Sequence, residues 1–211
     1  MVFFDIDTQH DFLDSDGALY VPDADSIRGN IGRLLSVAGE NRIITVSSRC
    51  AHEENDPEFT VFPPHCIEGT YGAERVFSEL PGLPRREIPV DSSPGSEKAL
   101  APATHYLVKK KVFDLFSNRW LDALRGAGAF AGEQCVVFGV ATDYCVRAAG
   151  LGLAQSGARV LLVTDAIRGV APASTAQTLD ELSAVGVEFT TTDEILKAVG
   201  NAAKETPSVN E

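Results

Sequence analysis

Cys135-Val136-Val137-Phe138-Gly139-Val140, followed by Ala141-Thr142-Asp143-Tyr144-Cys145-Val146, decides how this chain reads. The first run is short, apolar and β-branched, the pattern of a strand buried in a parallel sheet, and the residues after Cys145 read as a helix. Working outward, strand-like runs fall at Val2–Ile6, 42–47, His105–Lys110, Gln134–Val140, 159–164 and 187–190. Helical patterns fall between them. In the segment 25–40, Ile27, Ile31, Leu34, Leu35 and Ala38 recur on one face. The segments 118–126, 143–156, 173–184 and 193–199 behave alike, with Gly157 and Gly186 as C-terminal stops. The alternation predicts a single α/β domain over 1–200. It is a doubly wound, Rossmann-like, mostly parallel six-stranded sheet with helices on both faces, its first, third and fourth strands adjacent. The segment 49–102, rich in Pro, Gly and charge, is too long for an idle connection and reads as a functional excursion. The polar stretch 201–211 lacks periodicity and is expected to be a disordered tail.

Composition narrows the function. A net charge of -12 over 211 residues, with Lys109-Lys110-Lys111 the only basic run, argues against nucleic acid or an anionic membrane as partner. No apolar stretch approaches the ~20 residues of a membrane span. With a strand-like start and no signal-peptide pattern, the expectation is a cytoplasmic protein whose four cysteines serve as thiols, ligands or core rather than disulfides.

A thiol where strand becomes helix is placed to be a nucleophile. Helix N-termini lower a thiol's pKa and can hold a developing oxyanion. Asp7 and Lys110 end two other strands and would share the same sheet edge, where open α/β sheets bind ligands. Carboxylate, ammonium and thiol in one cleft form a set that can activate sulfur. In the excursion, Cys50, His52, Glu58 and His65 cluster as sulfur, nitrogen and oxygen donors suited to a divalent transition metal.

These residues carry a family resemblance. Asp7-Thr8-Gln9 with Asp11-Phe12, the Lys-x-x-Phe-Asp-x-Phe element ending at Phe116, and Gly139 to Val146 resemble the isochorismatase-like cysteine hydrolases over 1–198. Within that superfamily the chain is similar to the nicotinamidase and pyrazinamidase branch through Gly17 to Pro22, Phe62 to Thr70 and Thr164 to Val170. The resemblance implies an Asp7–Lys110–Cys145 triad, with Lys109 or Lys111 serving after a small shift in register. It also implies an oxyanion site built around a cis Val140–Ala141 peptide and the Cys145 backbone. It points to a metal at His52, Glu58 and His65, zinc first with manganese or iron as alternatives, and Cys50 stands where the family has Asp. Phe12, Phe62 and Phe113 fall on family positions that line an aromatic slot. No organic cofactor is implied.

The resulting expectation is a cysteine amidohydrolase that converts nicotinamide, or a similar small aromatic amide, to acid and ammonia through a thioester. Isochorismatase activity is disfavoured because vinyl-ether hydrolysis needs no thiol. Two alternatives stand beside it: another small-amide or ureido hydrolase of the superfamily, and a catalytically silent binding or scaffold protein. The implied partners are a small amide and further copies of the chain in a homo-oligomer. The small residues in Ala148-Ala149-Gly150-Leu151-Gly152 suit an interface, and suit close helix–sheet packing better.

Overall fold

A computed structural model describes residues 1–77, 80–93 and 95–205. Seven strands, β1 (Val2–Ile6), β2 (Ile44–Cys50), β3 (Arg85–Ile88), β4 (His105–Lys110), β5 (Gln134–Val140), β6 (Arg159–Arg168) and β7 (Glu188–Thr190), form one sheet in the order β3-β4-β2-β1-β5-β6-β7. Every pairing is parallel. The expected α/β architecture holds with one strand more than the six predicted. The extra strand, β3, lies inside the excursion, and three of its four residues are exposed. Such an edge strand carries no apolar run for pattern reading to find.

Side-chain alternation sorts the core into two layers. Phe3 of β1 faces α2 (Arg28–Glu40) and α6 (Thr192–Glu205), packing in the cluster that holds Ile31, Leu34, Leu35, Ile195 and Val199. Val2, Phe4 and Ile6 face the opposite way, toward α3 (Arg119–Gly126), α4 (Arg147–Gln155) and α5 (Pro172–Ala184), with Trp120, Leu124, Leu153 and Leu182. The apolar positions predicted on the second helix are all buried, as a helix against a sheet requires. Gly150 and Gly152 let α4 approach Leu182 and Phe116 so closely that a Cβ would lie 2.9 Å and 2.5 Å from their side chains. Internal packing therefore explains these small residues. The last helix continues to Glu205, through the start of the stretch expected to be a tail, and 206–211 lie outside the described residues. Among the described residues, no helix is long and apolar enough to cross a membrane.

Two corrections bear on the site. The first, third and fourth predicted strands are not mutual neighbours, because β2 lies between β1 and β4. Their C-terminal ends nevertheless meet along one edge, since β2 runs on to Cys50 and pairs there with Lys110. The predicted strand over 42–47 starts and stops too early for this pairing to be seen. The chain reverses its direction of winding between β1 and β5, which places the crevice for a ligand there.

Gly139, paired with Ile6, adopts φ +115°, and a Cβ there would lie 2.1 Å from the Ile6 carbonyl oxygen. Gly139→Ala is thus expected to destabilise the fold by at least about 1–3 kcal/mol of backbone strain, with the clash added. Denaturant unfolding measures this, and an unchanged midpoint would mean that the backbone relaxes freely.

Candidate active site

Asp7 follows β1 directly, in a left-handed conformation of φ +48° that turns its buried carboxylate back over the sheet edge. Ser48 of β2 holds it there: Ser48 Oγ donates to Asp7 Oδ1 at 2.6 Å and accepts from the Asp7 backbone N–H at 3.0 Å. Ser48 was missed from sequence, because only the β1–β2 register brings it opposite the end of β1.

The three consecutive lysines separate by direction. Lys110 is fully buried and its Nζ lies 2.8 Å from Asp7 Oδ2. Lys109 and Lys111 turn outward and pair with Glu68 at 2.6 Å and Glu53 at 2.8 Å, tying the excursion to the end of β4. From the same Nζ of Lys110, Cys145 Sγ is 3.7 Å and Cys50 Sγ 3.1 Å away. One ammonium thus faces a carboxylate and two thiols.

Cys145 lies in a π-helical turn, Thr142–Val146, ahead of α4. The Ala141 carbonyl accepts from the N–H groups of Tyr144 and Val146, which fixes the turn, and the Val140–Ala141 peptide before it is cis. Asp143 anchors the outer side, its carboxylate accepting from the backbone N–H groups of Val170 and Ala171 and from Ser174 Oγ.

The electrostatics revise one expectation. Rather than being lowered at a helix start, the Cys145 thiol is pushed well above its ordinary pKa, first by burial and then by the Asp7 carboxylate, with Lys110 opposing. Burial works against the charge on Lys110, but Asp7, Cys145 and Cys50 outweigh it and raise the ammonium's pKa. Both shifts point the same way, favouring a charged Lys110 ammonium beside a protonated Cys145 thiol at rest.

A second cluster adjoins the first. Donor atoms of Cys50, His52 and His65 lie within 4.8 Å of one another, and His52, Asp56 and Glu58 form an overlapping set. Glu58, expected beside the other three ligands, belongs to the second set, with Oε2 3.4 Å from His52 Nε2. His52 is fully buried with Nδ1 3.2 Å from Asp56 Oδ2, while among the described residues neither its Nε2 nor Glu58 Oε2 makes a hydrogen bond. Buried polar atoms left orphaned are costly, and a metal is one group that satisfies them. His65 Nδ1 sits 2.8 Å from the Pro63 carbonyl, leaving Nε2 free, and burial lowers its pKa so that the neutral, ligating ring is favoured. The donors present fit a divalent ion.

Between the clusters lies a pocket of about 190 Å³. Phe12, Phe62 and Phe113 line it together with Asp7, Cys50, Glu58, His65, Val140, Ala141 and Cys145. Leu19, Tyr20, Val21, Tyr144 and Val170 complete the wall. Tyr144, which meets Phe62 edge to face at 6.0 Å, was not foreseen, since an aromatic beside the thiol gives no signal of direction. Among the described residues, the acids Asp7 and Glu58 are the charged side chains on the lining. His10 and His105 take no part: His10 stacks on Tyr71, and His105 sits in a buried network with Ser47 and Arg75.

Comparison with known proteins identifies the family. The model of the isochorismatase domain matches residues 1–194. A nicotinamidase of Escherichia coli (strain K12) is 29% identical over 208 residues, covering 88% of this chain and 92% of that protein. A nicotinamidase/pyrazinamidase of Mycobacterium tuberculosis is 25% identical over 190 residues, covering 87% and 95%. The crystal structure of a pyrazinamidase of Pyrococcus horikoshii in complex with zinc superposes with a TM-score of 0.71 at 28% identity, covering 90% of this chain and 98% of that one.

Proposed function

Since the chain belongs to the isochorismatase domain family, we propose that it is a nicotinamidase-like cysteine amidohydrolase, releasing ammonia from a small, uncharged aromatic amide. The observation that carries this reading is Lys110 Nζ standing 2.8 Å from Asp7 and 3.7 Å from Cys145, two residues that line a pocket walled by Phe12, Phe62 and Phe113. Its relatives carry the names nicotinamidase and pyrazinamidase, which supports the amide class.

In this reading Cys145 is the nucleophile and Asp7 the proton acceptor. As Sγ attacks the amide carbon, the thiol proton passes to Asp7, so a thiol with a raised pKa at rest is compatible with attack. Lys110 offsets the negative charge shared by Asp7 and sulfur. Backbone N–H groups around Ala141 and Cys145 would receive the amide oxygen. Protonated Asp7 then donates to the departing amine nitrogen, and the carboxylate draws a proton from the water that opens the thioester. Cys50, His52 and His65, with Glu58 beside them, would hold a divalent metal, which when bound supplies a Lewis-acid anchor for a ring nitrogen. Phe12, Phe62 and Phe113 would bracket the ring.

Pocket size and aromatic walls choose among amides. At about 190 Å³ the site is smaller than the roughly 300 Å³ at the low end of ordinary ligand pockets, which favours a single ring. Walls of Phe12, Phe62 and Phe113 favour a flat aromatic ring over an extended aliphatic chain such as a ureido acid. The test is ammonia release by the purified chain from nicotinamide, a neutral aliphatic amide and a carboxylate-bearing ureido compound, with and without added zinc or manganese. Turnover of nicotinamide above the other two supports the reading, whereas preference for the ureido acid would overturn the substrate class. Asp7→Asn, nearly isosteric but unable to accept the proton, is expected to lose at least ~10²-fold in kcat.

A further inference from the structure

We propose that the metal site is selective for thiophilic divalent ions, zinc over manganese, because Cys50 enters it as a thiolate ligand. The inference rests on the reading above only in taking the cluster to be a metal site. Cys50 ends β2 and is buried, and its sulfur shares a 4.8 Å cluster with ring nitrogens of His52 and His65. Its position is fixed from the backbone outward. The Cys50 N–H donates to Gln9 Oε1 at 2.7 Å, and the Cys50 carbonyl accepts from Gln9 Nε2 at 2.9 Å. The same Nε2 donates to the Ala73 carbonyl at 2.8 Å, so a fully buried side chain clamps the strand end to the excursion. A sulfur held this way is a built donor and not a stray thiol in a loop.

The remaining groups suit a bound thiolate. Lys110 Nζ stands 3.1 Å from Cys50 Sγ, the hydrogen bond that a metal-bound thiolate accepts from its surroundings. His52 is fully buried, and among the described residues its Nε2 makes no hydrogen bond and faces Glu58 Oε2 at 3.4 Å, the second sign of a ligand position. Asp56 Oδ2 lies 3.2 Å from its Nδ1, and Asp56 Oδ1 accepts from the Glu58 backbone N–H at 3.0 Å. The Asp56 carboxylate therefore backs the His52 ring, as outer carboxylates behind ligating histidines do, and caps the turn that carries Glu58. A set of one sulfur and two nitrogens suits zinc, while sets of carboxylate, carbonyl and water suit manganese or magnesium. On metal uptake the Cys50 thiol gives its proton to solvent as the sulfur–metal bond forms.

Cobalt(II) is the probe, because a thiolate–cobalt bond gives a charge-transfer absorption in the near ultraviolet that oxygen and nitrogen ligands do not. We expect this band on titrating the full chain, its persistence in Cys145→Ala, and its loss in both Cys50→Asp and Cys50→Ser. Competition between zinc and manganese should show a strong zinc preference that shrinks by on the order of tenfold or more in Cys50→Asp, as a harder ligand replaces sulfur. Absence of the band in the unmodified chain, its survival in both Cys50 variants, or an unchanged zinc-to-manganese ratio would overturn the proposal. Amide turnover without the band would remove this inference and leave the amidase reading. The band without amide turnover would do the reverse.

Discussion

Lys110→Met is expected to lower the unfolding free energy by about 3–5 kcal/mol, the cost of breaking a buried ion pair by removing one partner. Lys110 and Asp7 are buried together at 2.8 Å, and methionine fills similar volume without a charge. What remains is a buried carboxylate under the sheet edge, held by Ser48 through Oδ1 and with no cation beside it among the described residues. At about 2–4 °C per kcal/mol for a chain of this size, the melting temperature should fall by on the order of 10 °C. Pairing the change with Asp7→Asn should recover most of the loss, because the stranded charge disappears with its partner. Denaturation of the two single variants and the double variant checks this. A loss below about 1 kcal/mol in Lys110→Met would indicate a pair screened by solvent, contrary to its burial.

Cys145→Ala should reduce turnover by on the order of 10⁶-fold, the scale seen when the nucleophile of a catalytic set is removed. The fold should be nearly indifferent, because Cys145 lines the pocket and is incompletely covered as a residue, while the helix behind it rests on Val146, Ala149 and Leu153. A change in stability within about 1 kcal/mol is expected. Steady-state ammonia release with the thermal midpoint separates the two quantities. Large activity in the variant would move the chemistry away from sulfur, and a large fall in the midpoint would make the thiol a packing residue.

How much of this was legible depended on the element. Gln134–Val140 could be delimited from the sequence because a strand buried on both faces is a nearly continuous apolar run, and His105–Lys110 through its Tyr106-Leu107-Val108 centre. Arg85–Ile88 was not, since an exposed edge strand of Arg, Arg and Glu resembles a loop until its neighbour is known. Asp7 and Cys145 could be singled out from strand ends, but the choice among Lys109, Lys110 and Lys111 needed the β2–β4 register, which turns Lys110 inward beside Cys50. The neighbours that hold the site, Ser48, Gln9 and Asp56, act through hydrogen bonds or close approach over 41 residues for Ser48 and Gln9 and over four for Asp56. No local pattern marks such partners. The pKa of Cys145 was misjudged for a related reason: a helix start was legible, whereas the burial and the Asp7 charge that outweigh it come from tertiary packing.

Covalent catalysis through a Cys145 thioester is the central claim, and partitioning by hydroxylamine tests it most directly. During turnover of nicotinamide, hydroxylamine should intercept the acyl group, so that hydroxamate appears at the expense of acid as its concentration rises. Turnover that yields only the acid at every hydroxylamine concentration would contradict a thioester and place water, not sulfur, at the amide carbon.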